Sequence, residues 1–66
     1  MNFNCRLKVI FAEKNIQQTE FAHKIGMSRA ALSLLVNNKT LPSFKIAYKI
    51  AKELNLHIEE IWIEEV

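Results

Sequence analysis

The 66-residue sequence has few of the residues that interrupt helices: one glycine and one proline. Helix is therefore the expected state of most of the chain, since these two are the poorest helix formers. A single cysteine, Cys5, excludes an internal disulfide. Its spacing from His23 and His57 suits no zinc site, so Cys5 reads as a packing residue, and no metal or other cofactor is expected. No apolar run approaches the length that spans a bilayer, and no signal-like segment opens the sequence. Both point away from a membrane partner and toward the cytosol. Nothing resembles a nucleophile–base pair, and so small a helical domain has little room for a sheltered cleft. Neither an enzyme nor a small-molecule substrate is expected.

What is present suits one ordered domain over residues 1–66: half the residues are hydrophobic and 24% are charged. The charge is unevenly placed. All nine basic residues fall within residues 1–52, beside only Glu13 and Glu20, whereas residues 53–66 hold five glutamates and no base. A basic body with an acidic end suggests a polyanion-binding face and a separate face for other contacts.

Gln18 to Lys39 is the informative stretch. Its Gly26 stands between two apolar-periodic runs and marks a sharp turn, because glycine accepts positive φ at little steric cost. Before it, Phe21, Ala22 and Ile25 share one helical face. After it, Ser28 is a good cap for a helix whose apolar face is Leu32, Leu35 and Val36. Two short helices joined by a tight turn form a helix-turn-helix, here over about residues 18–36, which commonly sets its second helix in the DNA major groove. On that helix Ala30, Leu34 and Asn37 lie opposite the core side. An outward face of this kind suits a groove, where Ala and Leu meet thymine methyl groups. Arg29 is the candidate for polar base readout, since guanidinium pairs bidentately with guanine.

The rest of the chain reads as three more helices. The first covers about residues 4–14, with Asn4 as its cap, Leu7, Ile10 and Phe11 inward, and Asn15 ending it in the left-handed region. Residues 37–42 form a loop. Ser43 then caps a helix in which Phe44, Ala47, Ile50, Ala51 and Leu54 recur at helical spacing, closed by Asn55. A short fifth helix opens at His57, with Glu59 and Glu60 in its first turn. The tail Ile61–Val66 admits either a strand paired with Met1–Asn4 or an extension of that helix.

The pattern Q-x3-A-x3-G-x-S-R-x3-S-x3-N, from Gln18 to Asn37, continues through Lys39, Pro42, Ser43, Lys49–Lys52 and Leu54. It resembles the Cro/repressor-type, or XRE-like, helix-turn-helix family over about residues 5–62. The resemblance implies an all-α, compact five-helix domain, with the terminal strand left open. It implies base-reading positions at Arg29, Ala30 and Leu34, and phosphate contacts from Gln18, Asn37, Lys39 and Thr40. Ser33 reaches a phosphate or a base, and Ser28 leaves free N–H groups near the DNA backbone. Many members carry an Arg–Glu ion pair at Phe11 and Val36, glycine at Asn38, and Ser or Thr caps at Gln17 and His57. The apolar pair Phe11 and Val36 is expected to touch, joining the first helix to the end of the third.

The function that follows is sequence-specific binding of double-stranded DNA as a transcriptional regulator, a repressor working as a homodimer on a palindromic operator. Tyr48, Leu56, Ile58, Ile61, Trp62 and Ile63 are the candidate dimer residues. An antitoxin or restriction-system controller would use the same fold, and a protein-interaction module without DNA binding would share its scaffold.

Overall fold

The computed structural model describes residues 2–65. Its elements run β1 (Asn2–Cys5), α1 (Leu7–Lys14), α2 (Gln18–Ile25), α3 (Arg29–Val36), α4 (Phe44–Leu54), α5 (Ile58–Ile61) and β2 (Trp62–Glu65). The five helices surround one core, into which Leu7, Leu32, Ile50 and Ile61 are fully buried. No charged or polar residue is buried among the described residues, so the fold is held by apolar packing rather than by internal ion pairs.

Helix boundaries follow local chemistry. Ser28 Oγ accepts from the Ala31 N–H at 3.1 Å and Ser43 Oγ from the Ile46 N–H at 3.3 Å, each satisfying a donor that a helix start leaves free. Gln17 precedes α2 with no side-chain cap bond, as expected where the resembling proteins carry Ser or Thr. At α5 the cap is reversed: the Glu60 carboxylate accepts from the His57 backbone N–H at 2.8 Å. Gly26 has φ of +76°, and a Cβ built there would meet nothing within 4 Å. The turn therefore favours glycine for its backbone conformation, not for space.

Two expectations change, at Asn4 and Phe44, and one left open, the tail, is decided. Helix α1 begins at Leu7, behind Arg6, which makes no side-chain cap bond. Asn4 is not its cap, because β1 recruits it opposite Ile63. The tail is a strand: β2 pairs antiparallel with β1, Cys5 opposite Trp62 and Asn2 opposite Glu65. The Met1 end of the expected pairing lies outside the described residues. Phe44, placed on the inward face of α4 by its spacing, is 77% exposed at the first turn.

Phe11 and Val36 are both buried in the same core. The aromatic partner of Phe11 is Phe21, with ring centroids 4.9 Å apart and tilted by 53°, so an aromatic contact ties α1 to α2. Opposite Trp62 across the terminal sheet lies Cys5, a buried free thiol whose pKa burial pushes above its ordinary value. Trp62 Nε1 has no hydrogen-bond partner among the described residues.

Candidate nucleic-acid interface

The geometry of α3 separates two faces. Leu32, Leu35 and Val36 are buried; Arg29, Ala30, Leu34 and Asn37 are exposed, with Leu34 at 48%. The helix is thus held to the body by one side while a short apolar and amide surface looks outward. Ala22 on α2 is buried and small, which suits close approach of α2 and α3 at the Gly26 turn.

The polar groups beside this face are ordered. Asn37 Nδ2 donates to the Ser33 carbonyl at 3.0 Å and to Ser33 Oγ at 3.2 Å. This joins two of the expected contact residues and leaves Asn37 Oδ1 and the Ser33 hydroxyl proton for other partners. Arg29, Lys39 and Thr40 are exposed, and no carboxylate lies within salt-bridge distance of Arg29 or Lys39 among the described residues. The cations that do find acids lie elsewhere. Lys24 Nζ is 3.8 Å from Glu53, between α2 and α4. Gln18 is half-buried at the start of α2. Ser28, bonded to Ala31, opens α3, whose other first-turn N–H groups a helix start leaves free of helical partners.

These features form a helix pair whose second helix has one exposed side, a capped start, and cations without a carboxylate partner among the described residues at its start and just beyond its end. A helix-turn-helix family model matches residues 7–61.

The chain belongs to the helix-turn-helix family. Its relatives include an uncharacterised HTH-type transcriptional regulator of Archaeoglobus fulgidus, 41% identical over 58 residues, covering 88% of this chain and 82% of that one. Another, from Methanocaldococcus jannaschii, is 40% identical and covers 91% of both chains. The crystal structure of a provisionally assigned DNA-binding protein from Bacteroides fragilis superposes with a TM-score of 0.82 at 30% identity. It covers 91% of this chain and 97% of that one. The Cro/repressor-type resemblance of the sequence and its five-helix architecture therefore both hold.

The expected dimer residues divide. Tyr48 and Ile63 are exposed, and Leu56 and Ile58 are half-buried. Ile61 and Trp62 are 0% and 6% exposed, because the first closes the core from α5 and the second faces Cys5 across the terminal sheet. These two are corrected: they belong to the protomer's interior and offer almost no surface to a partner. Sequence spacing also missed Phe44, which lies 6.2 Å from Tyr48 ring to ring, with Lys52 Nζ 5.7 Å over the Tyr48 ring. The hint was available, since Phe44 and Tyr48 are four residues apart and so share a side of α4.

Proposed function

We propose that this helix-turn-helix protein is a transcriptional regulator that binds double-stranded DNA, acting as a repressor in the cytoplasm and as a homodimer on a palindromic operator. The observation that carries the reading is the outward side of α3: Arg29, Ala30, Leu34 and Asn37 are exposed on a helix whose other side is anchored in the core. Arg29 reads a guanine, Ala30 and Leu34 meet thymine methyl groups, and Gln18, Ser28, Ser33, Asn37, Lys39 and Thr40 hold phosphates, with Ser33 also within reach of a base. Kinship with named transcriptional regulators supports the regulatory role. A relative named an ImmF control region protein, from Bacillus phage phi105, is 41% identical over 54 residues, and that kinship supports a role in control. The homodimer is supported by the exposed aromatic pair Phe44 and Tyr48, together with Leu56, Ile58 and Ile63. Two-fold pairing would place the recognition helices about one DNA turn apart.

The test is selection of bound sequences from a random duplex pool. An enriched inverted repeat is expected; enrichment of a single undivided site would overturn the dimeric reader, and no enrichment would overturn sequence-specific binding. On the selected site, Arg29→Ala should lose preference at one G·C pair, by about 1–3 kcal/mol. Lys39→Ala should weaken every duplex alike and reduce the salt dependence. Uniform losses from both variants would refute this division of roles.

A further inference from the structure

Four helices close on a residue with positive φ: Asn15 after α1, Gly26 after α2, Asn38 beyond α3 and Asn55 after α4, at 56°, 76°, 62° and 58°. At each closure the next N–H bonds a carbonyl five residues back: Ile16 to Phe11, Met27 to Ala22, Lys39 to Leu34 and Leu56 to Ala51, all at 2.8–2.9 Å. Such closures commonly carry an apolar contact at that next position, which fixes the direction in which the chain leaves. Ile16, Met27 and Leu56 make it, each packed against the core. After α3 the position is Lys39, charged and exposed, so the contact is missing there.

A different device occupies that corner. Asn38 Oδ1 accepts from the backbone N–H of Cys5, 33 residues earlier in the chain, at 3.2 Å. Among the described residues, the side chains of Asn15 and Asn55 make no hydrogen bond, so their closures rest on backbone bonds and apolar packing. Glycine would fit positive φ with less strain than asparagine. Backbone geometry alone thus gives no reason for asparagine at 38, whereas the bond to Cys5 does. It also satisfies a main-chain donor of a buried residue.

We infer that Asn38 is a positioning residue for DNA contact: it fastens the loop after α3 to β1, which leaves position 39 free to carry a cation outward. The inference rests on the proposed DNA-binding role of Asn37, Lys39 and Thr40. Without the fastening, that loop would keep its backbone turn but lose its fixed direction, and the Lys39 contact to a phosphate would be lost from the complex.

Asn38→Gly removes the acceptor while easing the backbone. Asn55→Gly makes the same exchange where no side-chain bond exists, and Asn38→Asp keeps an acceptor. Two readouts are needed: amide hydrogen exchange at Cys5, and affinity for sonicated genomic duplex DNA across a salt series. Asn38→Gly should lose protection at Cys5, bind about five- to tenfold more weakly, and flatten the log–log salt slope by about one. Asn55→Gly should leave all three as in the parent, and Asn38→Asp should retain Cys5 protection. Wild-type protection or a wild-type slope in Asn38→Gly would overturn the inference, as would equal losses from Asn55→Gly. A parent chain that forms no complex at low salt would instead overturn the DNA-binding reading, and the exchange difference at Cys5 would still be seen.

Discussion

From Gln18 to Val36, each feature of the chain is set by residues a few places away, whereas Asn2–Cys5 and Trp62–Glu65 take their form from one another across the whole length of the sequence. The helix-turn-helix has a serine cap, a glycine closure and apolar residues at helical spacing, all local rules. The termini have none of these. Their four-residue strands gain backbone partners only when the core has brought the ends together, with Arg6 N–H donating to the Ile61 carbonyl at 2.8 Å beside the sheet. The recognition unit is thus specified by local rules, and the sheet by the meeting of distant ends. The two regions should therefore fail differently when perturbed.

The largest perturbation is a charge in the core next to the recognition face. Val36 is buried with no charged residue buried among the described residues, so Val36→Glu would leave a carboxylate without a partner. A loss of about 3–5 kcal/mol is expected, enough to unfold most of so small a domain. The carboxyl pKa would be raised in the folded state, so the destabilisation should be least below the ordinary carboxyl pKa and grow as pH rises through the raised value. Thermal melts at several pH values read both effects; an unchanged midpoint at neutral pH would mean that position 36 opens to water, contrary to its burial.

Legibility in the sequence follows the same division. Ser28, Gly26, Ser43, Asn15 and Asn55 all act as their residue types predict, because caps and left-handed closures depend on neighbours only. The two sides of α3 were readable from periodicity for the same reason. Asn4 was misread because a good cap residue can also sit in a strand, and only the distant partner Ile63 decides. Phe44 was misread because helical spacing fixes an angle around the axis but not how far the core extends along it. Ile61 and Trp62 are apolar residues that a sequence admits equally as core or as contact surface, and distant packing decides: Ile61 closes the core from α5 and Trp62 faces Cys5 across the sheet. The Asn38–Cys5 bond was invisible for that reason too.

A second, smaller perturbation tests the closing region. Ile61 is fully buried where α5 meets β2, and Ile61→Ala should cost about 2–5 kcal/mol, depending on how far the site collapses. Urea titration gives the total. Amide exchange should show the N–H groups of Arg6 and the paired strands opening before those of α2 and α3, as expected when a region formed by closing is undone first. Loss of protection in all elements together would show instead that the termini and the recognition unit open as one, and the contrast drawn between them would fail.

The smallest effect is the most discriminating, because it can be matched by a twin. Ser28 and Ser43 make the same cap, at 3.1 and 3.3 Å, on α3 and α4 respectively. Changing either to alanine should lower stability by about 1 kcal/mol, since the freed N–H lies near solvent and water takes the place of the hydroxyl. The urea midpoints of the two variants should therefore shift alike. Their DNA affinities should not: Ser28 opens the helix proposed to enter the groove, and its loss loosens the first turn that carries Arg29, whereas Ser43 opens a helix that packs on the core and is proposed only as dimer surface. Measured where both variants remain folded, Ser28→Ala should bind duplex DNA several-fold more weakly than Ser43→Ala. Equal affinities would mean that the start of α3 does not approach the phosphates, even if the rest of its outer side does.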